Sequence, residues 1–146
     1  METANTGRMI DVEILRQDTE NGSTRWEKFR VPYRHGMNVI SILMEIQRNP
    51  VTADGKKTTP VTWDSNCLEE VCGACSMVIN GRPQQSCSAL VDKLTQPIRL
   101  EPMATFPIVR DLQVDRSRMF NALKKVKAWV PIDGTYDLGE GPRMPE

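Results

Sequence analysis

The segment CLEEVCGACSMVINGRPQQSC, residues 67–87, contains all four cysteines of the chain in the spacing Cys-x4-Cys-x2-Cys-x11-Cys. Three of them fall within nine positions, and the fourth follows Asn80-Gly81, which separates two short runs that can form strands. Asn-Gly is a preferred centre of a two-residue type I′ hairpin turn. The segment therefore predicts a cysteine-rich loop that leads directly into a β-hairpin.

The hairpin explains how the fourth cysteine returns to the other three. With a two-residue turn at Asn80-Gly81, Cys75 faces Ser86 across the hairpin, and Ala74 faces Cys87. Paired residues of antiparallel strands lie about 5 Å apart. Cys87 is therefore expected diagonal to Cys75, at the end of the hairpin where the loop begins.

Four sulfurs in this order admit disulfide bonds, a structural zinc ion or an iron–sulfur cluster. The polar start METANTGRMIDVEI has no apolar core of a secretory signal, which predicts a reducing, cytosolic setting that disfavours disulfides. Zinc sites usually draw on two separated close pairs, whereas only Cys72 and Cys75 form one here and the single histidine, His35, is remote. Plant-type [2Fe–2S] ligands follow the observed spacing. The pattern favours a [2Fe–2S] cluster, with a four-cysteine zinc-binding module as the alternative.

The residues between the cysteines suit a loop that wraps a flat cluster. Gly73-Ala74 adds almost no side-chain bulk and gives a permissive backbone. Glu69 and Glu70 place two carboxylates in the same loop. Because reduction adds an electron to an anionic cluster, we expect these carboxylates to lower its potential, and nearby hydroxyl donors to raise it: Ser65, Ser76 and Ser86.

Residues 9–102 predict one α+β domain with about five strands around one helix. Met9–Arg16 and Arg25–Val31 alternate between apolar and polar residues and predict a first hairpin, and Pro97–Pro102 predicts a further strand. Asn38–Arg48 predicts a helix with Asn38 as its N-cap. Its apolar positions follow helical spacing: Val39, Ile42, Leu43 and Ile46.

The remaining residues predict a helix and a connector. Residues 115–130 have helical periodicity, with Asp115 as the expected N-cap and three lysines near the C-terminal end. The apolar stripe of this helix is expected to contain Met119 or Phe120, Leu123, Val126 and Val130. Residues 131–146 are rich in proline and glycine, which is typical of an extended connector.

Composition indicates a globular chain and gives no support to two classes of partner. The chain has 146 residues, of which 39% are hydrophobic, and 19 basic residues balance 19 acidic ones. A neutral chain without interleaved aromatic and basic residues does not indicate nucleic-acid binding. No apolar run approaches the roughly 20 residues of a spanning helix, so direct membrane insertion is not expected. No nucleophile, acid–base pair or phosphate loop stands out, so we predict no catalytic residue and no enzymatic activity of this chain alone.

Residues 67–81, together with Cys87, resemble the iron–sulfur subunit of succinate dehydrogenase and fumarate reductase, in its Gram-positive bacterial form. Phe106–Asp115, FPIVRDLQVD, resembles the segment of that family that leads into its linker helix. The resemblance extends from about Met9 to the end of the chain. It implies a β-grasp domain, a strand hairpin packed on a helix, that binds one [2Fe–2S] cluster through Cys67, Cys72, Cys75 and Cys87.

The resemblance also implies a function and a set of partners. The chain would relay single electrons from the FAD of a flavoprotein subunit toward further clusters and quinone. It would lie at the cytoplasmic side of the cell membrane, held there by partner subunits. The alternative is an independent [2Fe–2S] ferredoxin that carries electrons between other partners.

The resemblance further divides the chain and marks what it lacks. We assign residues 1–8 to a flexible N-terminus, 9–106 to the ferredoxin-type domain, 107–130 to a linker segment with a helix, and 131–146 to a connector. The family's [4Fe–4S] and [3Fe–4S] centres, and its contact with a membrane-anchor subunit, are expected only in an absent C-terminal domain. Many family members have Arg and Gly at the second and fourth loop positions, where this chain has Leu68 and Glu70.

Overall fold

The computed structural model describes residues 7–128, which divide into two compact units. The first unit ends at Asp115 and the second begins at Arg116. Residues 1–6 and 129–146 lie outside the described residues. Most of the predicted flexible N-terminus, the end of the predicted second helix and the whole predicted connector therefore lie outside them as well.

The first unit is built on a five-stranded mixed sheet. Its strands are β1 (Met9–Gln17), β2 (Thr24–Pro32), β3 (Ser76–Ile79), β4 (Arg82–Gln85) and β5 (Ile98–Glu101), and its helix is α1 (Val39–Arg48). The strand order is β2-β1-β5-β3-β4, with β1 parallel to β5 and the other pairs antiparallel. The predicted α+β class, with five strands around one helix, is confirmed.

Alternation along β1 and periodicity along α1 build a shared core. The side chains of Ile10, Val12 and Ile14 point to one face of β1 and are fully or almost fully buried. The apolar face of α1 is buried in the same cluster. Full burial of such a side chain contributes about 1.5–3 kcal/mol. Asn38 caps α1 as predicted, because its side-chain oxygen accepts the Ser41 N–H at 2.9 Å.

The β3–β4 hairpin has the predicted register. Residues 76–79 pair with residues 82–85 in reverse order around the Asn80-Gly81 turn, and both turn residues have positive φ, as a type I′ turn requires. The Asn80 side chain also joins the turn to the neighbouring strand. Its Oδ1 accepts the Arg99 N–H at 2.8 Å, and its Nδ2 donates to the Thr95 carbonyl at 2.9 Å.

The first unit extends beyond the predicted boundary at residue 106. Residues 107–115 were expected in the linker, but they form a second small sheet of β6 (Ile108–Arg110) and β7 (Gln113–Val114). Asp111 and Leu112, in the turn between them, are buried, and the Leu112 N–H donates to the Thr62 carbonyl at 3.1 Å. The boundary therefore falls after Asp115, because the turn contributes a charged and an apolar side chain to the interior.

A buried ion pair fixes this turn to the main sheet. The side chains of Arg16 and Asp111 are fully buried and meet through Nε and Oδ1 at 2.8 Å. The Asp111 carboxylate also accepts the backbone N–H groups of Gln17 and Thr62 at 3.2 and 2.9 Å. Arg16 further donates to the Glu27 carboxylate at 2.7 Å. One carboxylate thus joins the end of β1, the segment at Thr62 and the β6–β7 turn.

The second unit contains α2 (Ser117–Lys125), which begins later than predicted. Arg116, not Asp115, occupies the N-cap position, and no side chain caps the helix. The Asp115 N–H instead donates to the Pro107 carbonyl at 2.8 Å, which places Asp115 in the first unit. The last turn of α2 is basic, as expected, with Lys124 and Lys125. Within residues 7–128, neither helix has the length and apolar character needed to cross a bilayer.

Removal of the Asp111 charge should destabilise the first unit. Asp111→Asn leaves the buried Arg16 guanidinium with only Glu27 as an ionic partner, so we expect a loss of about 3 kcal/mol in the free energy of unfolding. Urea denaturation followed by far-UV circular dichroism measures it. Asp11→Asn is the matched control, because its ion pair with Arg30 is exposed and should contribute less than about 1 kcal/mol. Equal losses in the two variants would contradict the prediction.

Candidate metal centre

The four cysteines surround the end of the β3–β4 hairpin. Cys67 and Cys72 lie in the irregular loop before the hairpin, Cys75 directly precedes β3, and Cys87 follows β4 by one residue. None of the four forms a disulfide bond. Cys75 is buried, Cys67 and Cys87 are half-buried, and Cys72 is exposed. The residues predicted from spacing are thus all placed at one end of the sheet, while their role as ligands stays a prediction.

Cys67 and Cys72 form the first pair of thiols. The Cys72 N–H donates to the Cys67 sulfur at 3.3 Å, and the Cys67 N–H donates to the Cys72 sulfur at 3.4 Å. Two further backbone groups follow the same pattern, since Glu69 N–H donates to Cys67 and Ala74 N–H to Cys72, both at 3.4 Å. These N–H donors, first that of Glu69 and then that of Cys72, lower the pKa of the Cys67 thiol to about 7. The loop backbone is therefore arranged to stabilise negative charge on sulfur.

The loop adopts this arrangement through left-handed residues. Leu68 and Glu70 have φ of 61°, and Gly73 has φ of 71°. Such residues turn successive N–H groups toward one side and can create a concave site for anions. The left-handed conformation costs roughly 1–2 kcal/mol for a residue with a side chain. The N–H of Glu69, which lies between Leu68 and Glu70, contacts the Cys67 sulfur at 3.4 Å and offsets part of that cost.

Cys75 and Cys87 form the second pair, which the hairpin holds together. Ser86 is fully buried and donates to the Cys75 carbonyl twice, through its N–H at 3.2 Å and its hydroxyl at 2.8 Å. The predicted pairing of Cys75 with Ser86 is confirmed. Burial raises the pKa of the Cys87 thiol, and the neighbouring Cys75 thiol raises it further, whereas the backbone N–H of Glu70 lowers it. The Ser86 hydroxyl was expected to donate toward a cluster, but its proton is already given to the Cys75 carbonyl.

Backbone contacts thus group the thiols as Cys67 with Cys72 and Cys75 with Cys87, and this grouping can be compared with the needs of each metal centre. Each iron of a [2Fe–2S] cluster takes two cysteine thiolates, whereas a structural zinc ion takes four ligands around one point. Among residues 7–128, no three His, Cys, Asp or Glu side chains gather closely enough to hold a single metal ion. The two pairs, with backbone N–H groups directed at the sulfurs, fit the donor set of a [2Fe–2S] cluster.

The surface of the loop is open and partly apolar. Val71 is 80% exposed and Leu68 is 51% exposed, and the side chains of Glu69 and Glu70 also face solvent. The buried Cys75 directly precedes a strand of the sheet, whereas the exposed Cys72 lies in the loop before it. One side of the site is therefore enclosed by the protein and the other is close to its surface.

Sequence reasoning missed contacts that support the site from distant parts of the chain. The Asn38 side chain donates to the Cys87 carbonyl at 2.8 Å, and Gln113 donates to Asp64, three residues before Cys67, at 2.8 Å. Each contact spans 49 residues. Asn38 was recognised only as a helix cap, since no local pattern signals its second partner.

Residues 11–121 match the family described as the 2Fe-2S iron-sulfur cluster binding domain. The chain belongs to this family. It is 74% identical over 133 residues to the succinate dehydrogenase iron-sulfur subunit of Bacillus subtilis, a match that covers 91% of this chain and 53% of that protein. It is 34% identical over 136 residues to the fumarate reductase iron-sulfur subunit of Mycobacterium tuberculosis, covering 88% and 52%. The resemblance seen in the cysteine segment is thereby confirmed.

A solved structure shares the fold of this family member. The chain matches the Mycobacterium smegmatis Sdh1 complex in the apo form with a TM-score of 0.70 and 24% identity, over 90% of this chain and 54% of that one. This likeness supports the ferredoxin-like fold. The chain spans about half the length of the curated relatives it matches.

Variants of Glu70 should separate the effect of its charge from that of its backbone. Glu70→Gln and Glu70→Gly both remove a carboxylate from the cysteine loop, so we expect both to raise the midpoint potential of the bound cluster by similar amounts. Only Glu70→Gly relieves the left-handed conformation, so it alone should stabilise the cluster-free chain, by about 1 kcal/mol. A redox titration followed by EPR and urea denaturation measure the two effects. Unchanged potentials at low salt would show that solvent screens the charge.

Proposed function

We propose that this chain binds one [2Fe–2S] cluster through Cys67, Cys72, Cys75 and Cys87 and relays single electrons. The observation that carries the proposal is the placement of the four cysteines at one end of the hairpin, where Cys67 and Cys72 exchange N–H contacts to sulfur and Ser86 ties the Cys75 carbonyl to the residue before Cys87. The family match over residues 11–121 supports the same cofactor. No nucleophile or acid–base pair is assigned, so the chain is proposed to be a carrier of electrons and not a catalyst by itself.

Different parts of the chain would have different roles at the proposed site. When bound, a [2Fe–2S] cluster accepts and releases one electron at a time. The backbone N–H groups of Glu69, Cys72 and Ala74 reach sulfur and offset its negative charge. The buried Cys75 and the hairpin enclose the inner side. The exposed loop around Val71 leaves the outer side accessible to a protein that gives or takes an electron.

The proposal extends to a place in a larger complex. Relatives named as iron–sulfur subunits of succinate dehydrogenase and fumarate reductase support a position between two electron carriers. Electrons would arrive from the FAD of a flavoprotein subunit and continue toward further clusters and quinone. Those [4Fe–4S] and [3Fe–4S] clusters, and the contact with a membrane-anchor subunit, would be supplied outside this chain. The complex would place it at the cytoplasmic side of the membrane.

Metal and sulfide analysis tests the cofactor. The anaerobically purified chain should contain about two iron atoms and two sulfide ions, and reduction should produce an EPR signal. Cys72→Ala removes one thiolate of the outer pair and should abolish the bound iron and the signal. Ser88→Ala is the matched control, because it removes only a hydroxyl that donates to the Gln85 carbonyl. Zinc in place of iron and sulfide would overturn the proposal in favour of a zinc-binding module.

Reconstitution with a flavoprotein tests the partner. The chain is mixed anaerobically with the flavoprotein subunit of a succinate dehydrogenase, and succinate is added. We expect the visible spectrum of the bound cluster to bleach only when the flavoprotein is present, because we assign no succinate site to this chain. Cys72→Ala is the control without a cluster. A loaded chain that neither binds the flavoprotein nor bleaches would favour the independent electron carrier.

A further inference from the structure

The side chain of Asn38 makes two different contacts at the start of α1. Its Oδ1 accepts the N–H and the hydroxyl of Ser41 at 2.9 and 3.0 Å, which caps the helix. Its Nδ2 donates to the backbone carbonyl of Cys87 at 2.8 Å. A single carboxamide therefore joins the first turn of the helix to the main chain of the fourth cysteine.

The backbone on both sides of these contacts is also paired. Asn38 forms a β-bridge with Leu90, and the Val39 N–H donates to the Ala89 carbonyl at 3.1 Å. The Val91 N–H donates to the Met37 carbonyl at 2.9 Å. The chain that leaves the hairpin is thus held along the residues that lead into α1. Cys87 lies at the near end of this paired stretch, where the Asn38 side chain reaches its carbonyl.

The double contact explains why asparagine suits this position. Asparagine, aspartate and serine are comparably good N-caps, so capping alone does not select among them. Of these three, only asparagine offers an acceptor for the Ser41 N–H and a donor for the Cys87 carbonyl on the same planar group. Once Oδ1 faces Ser41, the orientation of Nδ2 is fixed. A single orientation of the Asn38 carboxamide therefore satisfies both the cap and the cysteine carbonyl.

We propose that Asn38 is a positioning residue that fixes the main chain of Cys87, and with it the fourth thiol, against α1. Ser86, the residue before Cys87, donates to the Cys75 carbonyl. Cys87 is therefore held by the hairpin through Ser86 and by the start of α1 through Asn38. The proposal rests on the proposed function, in which Cys87 is a cluster ligand. The accessibility of the Cys87 thiol can nevertheless be measured in the cluster-free chain.

Two variants separate the cap from the contact with Cys87. Asn38→Ser keeps a capping oxygen on a side chain too short to reach the carbonyl. Asn38→Asp keeps the acceptor but directs a carboxylate oxygen at the carbonyl. Ser41→Ala is the matched control, since it removes a hydroxyl from the same cap and leaves the Cys87 contact in place. Far-UV circular dichroism checks that each variant retains its helix.

The first measurement follows the loaded chain. Loss of the cluster to an iron chelator should be about fivefold faster in Asn38→Ser, the factor expected for one net hydrogen bond, and faster still in Asn38→Asp. The g-values of the reduced cluster should shift in both variants. Ser41→Ala should match the wild-type chain in rate and spectrum. Wild-type rates and g-values in both Asn38 variants would overturn the proposal.

The second measurement needs no cluster. Iodoacetamide labelling of the cluster-free chain, followed by peptide mass spectrometry, gives the rate at Cys87 relative to Cys75. This ratio should rise about fivefold in both Asn38 variants and stay unchanged in Ser41→Ala. A rise that is equal in Ser41→Ala, or that follows loss of helix, overturns the positioning role. If the wild-type chain binds no iron or sulfide, the proposed function fails, and the labelling ratio still decides whether Asn38 positions Cys87.

Discussion

The buried carboxylate of Asp111 joins parts of the chain that no local signal brings together. It accepts two hydrogen bonds from the Arg16 guanidinium and one each from the backbone of Gln17 and Thr62. A buried charge without its partners is costly, so these segments must be in place together for the fold to be stable. Thr62 leads within a few residues to Cys67. The approach to the first cysteine is therefore fixed by a residue of the β6–β7 turn.

The two halves of the site are supported by different physical means. Cys75 and Cys87 flank a hairpin that backbone hydrogen bonds and the fully buried Ser86 hold together. Cys67 and Cys72 lie in a loop held by N–H contacts to sulfur and by left-handed residues. The opposite directions of the pKa shifts follow from this difference, because amides lower the pKa of Cys67 while burial raises that of Cys87. We therefore expect binding of the cluster to order the loop that contains Cys67 and Cys72 more than it orders the hairpin beside Cys75 and Cys87.

Local patterns were sufficient where neighbours in sequence decide the structure. Alternation predicted β1 and β2, helical spacing predicted α1, and Asn80-Gly81 predicted the hairpin register to the residue. The boundary after Asp115 was missed because it depends on an ion pair across 95 residues. One signal was available: Arg16 continues the period of two that buries Ile10, Val12 and Ile14. A charged residue on a buried face requires a partner, although the sequence does not say that Asp111 provides it.

Glu70 shows how the cysteine loop overrides local preference. The backbone at Glu70 has the positive φ that glycine adopts without strain. The chain keeps that conformation with a glutamate, so the conformation is not selected by the residue itself. The Glu70 N–H lowers the pKa of the Cys87 thiol, so the loop that carries the outer pair of cysteines also acts on the inner pair. N–H groups directed at sulfur therefore account for the loop backbone better than the identity of residue 70, whose side chain faces solvent.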